Sequence, residues 1–210
     1  MTHGVRGNPA VTGVLPVALE SATKTLQAIL LSGKEYICAM KLHGDVSSEK
    51  LRCGLGEFTG EIYQRPPVRS SVKRQTRVRV IYGIDVLEIE NRTVLLKINC
   101  QSGTYIRKLI HDVGEALGCG AHMAELRRTR AGPFVEDESL VTLHDLSAAM
   151  MEWRETGRED ILRRMILPVE KSVELLPHIW VKDSTVEALC QGAALAAPGV
   201  VKLTSTVERG

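Results

Sequence analysis

Thr76–Cys100 reads TRVRVIYGIDVLEIENRTVLLKINC. The first half is β-branched and aromatic, with Arg77 and Arg79 alternating with Val78 and Val80, the period-2 pattern of a strand. Asn91-Arg92 is a credible turn, and TVLLKINC beyond it reads as a second strand, so the two form an antiparallel hairpin. Ser102-Gly103 then breaks the extended run. TYIRKLIHDVGEALG places Ile106, Leu109, Ile110, Val113 and Leu117 on one helical face, with Gly118 at the stop.

Working outward, ESATKTLQAILL (20–31) has helical spacing at Ala22, Leu26, Ile29 and Leu30, stopped by Gly33. KEYICAMKLHG has strand character and ends at a glycine. Two serines before Glu49 open a helix over 47–58. QRPP is extended, because paired prolines remove donors and disfavour helix in the residue before them. Short helices are expected near 142–153 and 159–166, with Leu167-Pro168 and Leu176-Pro177 as punctuation. The closing HIWVKDSTVEALCQGAALAAPGVVKLTSTVERG holds a strand, a helix and the start of another strand, too little to cover a core of its own.

With 210 residues, 44% hydrophobic and 25% charged, the chain has room for one well-buried core and part of a second domain. No apolar run approaches the roughly 18 residues of a membrane span, and residues 1–10 lack the apolar region of a secretory signal. Five scattered cysteines, an odd number, argue against a disulfide framework and for a reducing, intracellular setting. The net charge of +2 says little, but its distribution says more. Between Ile62 and Ile84 stand Arg65, Arg69, Lys73, Arg74, Arg77 and Arg79 with no acid, and Arg127, Arg128 and Arg130 cluster in ELRRTRAGPF. Segregated cations suit a polyanionic partner, since each phosphate neutralised releases counterions; a solvated face explains such a run equally well.

Other constellations carry less. GLGEFTG (54–60) lacks the spacing and the preceding strand of a nucleotide-binding loop. His111, Cys119 and His122 lack a fourth ligand at recognised zinc spacing. Aromatics at 4% disfavour a broad stacking platform, though one ring under one extruded base is enough for base flipping. QSGTYIRKL is more informative. Gly103 lets the chain bend just before the helix, and Tyr105 and Arg107 sit at its positive N-terminal end. Arg107, among Ile106, Leu109 and Ile110, is expected to be half-buried and so to want a carboxylate partner.

HGVRGNPAVTGVLPVALESATK, KEYICAMKLHGDV, GEIYQRPPVRSSVKRQTRVRVIY and CQSGTYIRKLIHDVGEALGCGAHMAELRRTR resemble the TruB-type pseudouridine synthases. HGDV and QRPPVRSSVKR are similar to the archaeal and eukaryotic branch, the catalytic subunit of box H/ACA guide ribonucleoproteins (the dyskerin family). The resemblance covers essentially the whole chain, and the closing IWVKDSTVEALCQGAALAAPGVVKL resembles the start of that family's RNA-binding PUA domain. It implies an α+β fold: a mixed, largely antiparallel sheet with flanking helices over 1–176, followed by the beginning of a PUA domain over 177–210. Isomerisation of uridine to pseudouridine in tRNA or rRNA is implied with it, without metal or organic cofactor. The implied partners are guide RNA, substrate RNA and the accessory proteins of the ribonucleoprotein, with no membrane. The implied location is cytoplasmic in an archaeon and nucleolar only in a eukaryote.

Residue by residue, the family's H-G-G-T-L-D-P loop aligns with His3-Gly4-Val5-Arg6-Gly7-Asn8-Pro9, so Asn8 falls where the nucleophilic Asp belongs. Tyr36 falls on the tyrosine that stacks on the target base, and Arg107 on the arginine that pairs with the catalytic carboxylate. His3, Tyr105 and Leu126 match positions that line the pocket, while the basic side chains named above, Arg65 to Arg79 with Arg127 and Arg128, are the implied RNA contacts. A neutral amide is a far poorer nucleophile than a carboxylate. Arg107 then lacks its ion partner, a loss on the order of 3–5 kcal/mol for a buried pair. The family's segment ahead of the loop is missing and the PUA-like part stops early, so the chain reads as a piece of a longer protein. Two alternatives stand beside the enzyme: a non-catalytic RNA- and protein-binding component of the same particle, and a non-functional gene fragment.

Overall fold

The computed structural model describes residues 3–4, 11–66 and 75–204. The chain opens with β1 (His3–Gly4), β2 (Val11–Gly13), β3 (Val17–Ala18), a 3-10 helix at Glu20–Thr25 and α1 (Leu26–Leu31). β4 (Lys34–Leu42), α2 (Ser48–Glu57), β5 (Gly60–Gln64), β6 (Arg77–Glu90), β7 (Thr93–Cys100) and α3 (Ile106–Leu117) follow. Then come β8 (Ala121–Ala131), β9 (Phe134–Val135), α4 (Leu143–Thr156), α5 (Asp160–Met165) and a 3-10 turn at Val169–Val173. The last elements are β10 (Ile179–Val181), α6 (Asp183–Cys190), a 3-10 turn at Ala197–Gly199 and β11 (Val200–Leu203). Two compact units result, Met1–Val173 and Glu174–Gly210.

The first unit is organised by one sheet in the order β2-β8-β4-β7-β6-β5, with β9 paired to β8. Every pairing in it is antiparallel except β2 with β8. β7 alternates without a break: Val94, Leu96, Ile98 and Cys100 are buried and their neighbours are not. Across from them on β4 stand Met40, Cys38, Tyr36 and Lys34, and directly opposed residues share a face of the sheet. That face carries the core. Leu51 and Leu55 of α2 and Ile106, Leu109, Ile110, Val113 and Leu117 of α3 complete the same apolar cluster. The helix expected from the spacing of its apolar residues is therefore the one that covers the sheet, and Gly118 ends it in the left-handed region at φ 76°. Ser47 caps α2 by accepting from the Lys50 N–H, as the two-serine opening implied. Asn91, at φ 53°, turns the β6–β7 hairpin.

Three expectations change. Residues 20–31 are not one helix but a 3-10 segment followed by the short α1, and Leu30 is 46% exposed, leaving Ile29 as the one buried residue of α1. On β6 the two faces are reversed: Arg77 and Arg79 share the face of Ile81 and oppose the buried Gln64 and Ile62 of β5, while Val78 faces solvent. The longest omission is β8. Its eleven residues include Glu125, Arg127, Arg128 and Arg130, and such charge in a run reads as surface, yet β8 is the inner strand between β2 and β4.

In the second unit β10 and β11 pair antiparallel and α6 lies between them in the chain. Gly199 packs so closely on Thr185 that a Cβ there would lie 2.7 Å from its hydroxyl. Lys202 Nζ sits 4.9 Å from the Trp180 ring centre, a cation–π contact. Among the described residues of this unit no hydrophobic side chain is buried.

Candidate active site

Tyr36 stands on the core face of β4, with Ile98 of β7 opposite on one side and Arg128 of β8 opposite on the other. One pair along, Cys38 opposes Leu126, so Tyr36, Leu126 and Arg128 share one face of adjacent strands. β2 brings a third chain segment there, aligning Val11 with Leu126 and Gly13 with Arg128. Burial pushes the Tyr36 phenol above its ordinary pKa, and the Arg128 guanidinium, which also hydrogen-bonds it, pulls partly back. The ring is thus un-ionised at neutral pH, set in an apolar neighbourhood with one cation at its oxygen.

Arg128 is the first correction among the candidate RNA contacts. It is 8% exposed, and its Nε donates to the Val14 carbonyl at 2.7 Å, while the Val14 N–H donates to the Arg128 carbonyl at 2.8 Å. With little exposure and its guanidinium engaged by the Val14 carbonyl and Tyr36, this side chain is committed to the protein and not offered to an RNA backbone. β2 can approach this closely because residue 13 is glycine: at φ 97°, a Cβ there would lie 2.1 Å from the Arg128 carbonyl oxygen. Arg127, on the other face, is exposed but ion-paired to Glu136.

Tyr105 and Arg107 arrive on α3. Tyr105 is its N-cap, and Ile106 opens the buried stripe. Arg107 is exposed, not half-buried, because one residue along a helix turns about 100° away from that stripe. The turn ahead of it is held by Gln101, whose Oε1 accepts from the Val80 N–H at 3.1 Å while its own N–H donates to the Val80 carbonyl at 2.8 Å. Gly103, at φ 78°, lies against the Arg79 guanidinium, 3.2 Å from where a Cβ would sit. Arg79 Nη1 donates to the Val78 carbonyl, and its buried Nε has no hydrogen-bond partner among the described residues. Arg65 is exposed and Arg77 half-buried.

Asn8, Arg69, Lys73 and Arg74 lie outside the described residues, as does the side chain of His3, whose backbone pairs with Ala18. β2, which begins three residues after Asn8 in the sequence, does run beside Leu126.

Two residues that sequence reasoning passed over stabilise the region. Lys34, 7% exposed, donates Nζ to the carbonyls of Ile29 (2.6 Å), Leu30 (3.2 Å) and Ser32 (2.6 Å), satisfying the open end of α1. Burial, with the nearby charge of Arg128, lowers its pKa to about 8. Gln64, 2% exposed, bonds to the backbone of Tyr105. A polar residue placed on the inward parity of a strand was the available signal for both. For the histidines, the structure sets His43 against His122, with His43 Nε2 2.8 Å from His122 Nδ1. Among the described residues no three His, Cys, Asp or Glu side chains gather as a metal-holding group. The surface grooves that flank α2 do not touch Tyr36.

Comparison with known proteins agrees over nearly the full chain. Residues 2–106 match the TruB family pseudouridylate synthase N-terminal domain, and residues 107–174 match the tRNA pseudouridylate synthase B C-terminal domain. A probable tRNA pseudouridine synthase B of Pyrococcus abyssi is 57% identical over 208 residues, 99% of this chain and 62% of the relative. Its counterpart in Methanopyrus kandleri is 56% identical, with 99% and 61% covered. A chain from a Cbf5–Nop10–Gar1 complex superposes at TM-score 0.90 with 57% identity, over 97% of this chain and 62% of that one. A chain from an H/ACA RNP bound to a substrate RNA containing 2'-deoxyuridine also gives 0.90, at 51% identity, over 100% and 63%. The chain therefore spans a little over three-fifths of the length of these relatives. With the mixed, largely antiparallel sheet, its covering helices and family matches on both sides of residue 106, the chain belongs to the TruB family of pseudouridylate synthases.

Proposed function

We propose that this chain carries the catalytic domain of an RNA-guided pseudouridine synthase, acting on uridine in tRNA or rRNA. The observation that carries the reading is the placement of Tyr36: a phenol kept un-ionised by burial, on the sheet face that also presents Leu126, with β2, which begins three residues after Asn8, paired to the Leu126 strand. Such a ring suits stacking against a single extruded base. In the reaction the base detaches from its sugar, rotates and reattaches through carbon, so the protein must hold a free base in place, and an apolar floor with few competing polar groups does this. Guide RNA, substrate RNA and the small proteins of the H/ACA particle are the proposed partners; the relatives' own complexes support this. The reaction calls for no metal or organic cofactor. The exposed Arg65 and the half-buried Arg77 and Arg79 supply positive charge along β5 and β6 for the RNA backbone. The second unit reads as the start of a PUA domain.

Asn8 favours a second reading, in which the chain keeps the pocket and the RNA and protein contacts but little of the rate. An amide at the nucleophile position leaves only binding and positioning, so turnover should lie several orders of magnitude below that of an Asp-bearing relative. Tritium release from labelled uridine RNA, with guide RNA and partner proteins present, separates the readings. Asn8→Asp is expected to raise turnover by at least about a hundredfold. Parent turnover equal to an Asp-bearing relative would sink the non-catalytic reading. No gain in Asn8→Asp would sink the placement of the nucleophile, or favour a fragment that does not work as an enzyme.

A further inference from the structure

Gln64 closes β5 and is the most deeply buried polar side chain among the described residues, at 2% exposure. Its amide engages both backbone groups of one residue far along the chain. Oε1 accepts from the Tyr105 N–H at 2.9 Å, and Nε2 donates to the Tyr105 carbonyl at 3.2 Å. A primary amide is the side chain that offers a donor and an acceptor side by side, the complement of a peptide unit.

Tyr105 is the N-cap of α3. Its carbonyl also accepts from the Leu109 N–H at 3.0 Å, the first bond of the helix. Where the N-cap backbone sits decides where the helix begins and which way its first turn points. Arg107 is in that turn, and Tyr105 is itself a candidate pocket residue. The segment just before, Gln101 to Thr104, is tied to β6 through Gln101 and Val80. Gln64 holds the other side. The residue after Arg65, Pro66, is buried, so the chain leaving β5 is fixed close to the amide.

We propose that Gln64 is a positioning residue of the site: its amide fixes the Tyr105 backbone, and through it the first turn of α3 and the approach of Arg107 to the substrate. The proposal rests on the pseudouridine synthase reading for what is positioned, and on the two hydrogen bonds for how.

The test uses the full chain carrying Asn8→Asp, with and without a second change at residue 64. Gln64→Met keeps the volume and removes both bonds. Hydrogen exchange at the Tyr105 amide should quicken about tenfold, one hydrogen bond's worth. Turnover in tritium release should fall about ten- to a hundredfold with KM for the RNA unchanged, since the loss is one of alignment. Gln64→Glu supplies the conservative rescue. A protonated carboxyl matches the amide, its carbonyl accepting from the Tyr105 N–H and its hydroxyl donating to the Tyr105 carbonyl. The ionised carboxylate has no proton to donate, and burial raises the pH at which it forms. Turnover of Gln64→Glu should therefore match its parent at acid pH and fall relative to it as pH rises. Parent-like Tyr105 exchange in Gln64→Met would overturn the proposal. So would a lowered Tm with unchanged kcat and no pH-dependent loss in Gln64→Glu. Should Gln64→Met fail to fold, Gln64→Glu at acid pH still decides between the two. Should the Asn8→Asp parent give no turnover, the functional reading fails, and Tyr105 exchange alone upholds or overturns the clamp.

Discussion

Gly13 has a single role: it lets β2 lie against Arg128, at a φ of 97° where a Cβ would sit 2.1 Å from a carbonyl oxygen. Gly13→Ala combines that clash with a left-handed backbone costing about 1–2 kcal/mol, so thermal unfolding should shift down by several degrees; an unchanged Tm would mean β2 is not seated there. Lys34 gives a prediction in pH. Its folded pKa is depressed to about 8 from the ordinary 10.5, so between those values the unfolded chain holds a proton that the folded chain has released. Stability contributed by this group therefore rises with pH across that window. The buried Cys38 and Cys100 thiols, pushed up to about 12 and about 11, act in the opposite sense above about pH 9. Denaturant titrations between pH 7 and 9 should show a rise in the parent that is absent in Lys34→Met. An identical profile in both would mean the ammonium is not desolvated. At this scale the sequence was legible where a residue's type matched its place, as with the inward aliphatics of β7. Lys34, Gln64 and Arg128 were not, because burial of a polar group depends on partners that only the fold supplies.

Helix α3 does most to close the core. Leu109 is 1% exposed and packs in the same cluster as Leu51, Leu55, Leu96 and Ile98. Leu109→Ala should cost about 2–5 kcal/mol by lost burial plus the cavity left behind, measured by denaturant unfolding; a loss below about 1 kcal/mol would place α3 off the sheet. This helix was legible because five apolar residues recur at its period and a glycine follows them. The β6–β7 hairpin was legible for the matching reason, period 2 on either side of Asn91. β8 was not. Its arginines face alternately into and away from the sheet: Arg128 buries its charge against a carbonyl and Arg127 pairs with Glu136, so a strand that reads as a basic surface run sits inside the sheet. The faces of β6 were misjudged on the same ground, since valine is expected inward and arginine outward until Gln64 and Ile62 are found opposite the arginines.

At the scale of the molecule, the two compact units differ in what holds them. The first buries an extended apolar cluster, whereas the described part of the second buries no hydrophobic side chain. Amides of 183–196 should therefore exchange fast, close to unprotected rates, while those of β4 and β7 are retained for the lifetime of the fold. Strong protection across 183–196 would show that the second unit is stabilised by more than its own contacts. By itself the sequence determined the amphipathic helix and the hairpin, which are written in local periodicity, and, through contiguous motifs, the family and with it the mixed sheet-and-helix class. Only the tertiary structure decided that Tyr36, Leu126 and Arg128 share one face, that Gly13 admits β2 beside them, and that Gln64 holds Tyr105. Those relations join residues tens of positions apart, and strand register, a cooperative outcome of packing one face against α2 and α3, sets them.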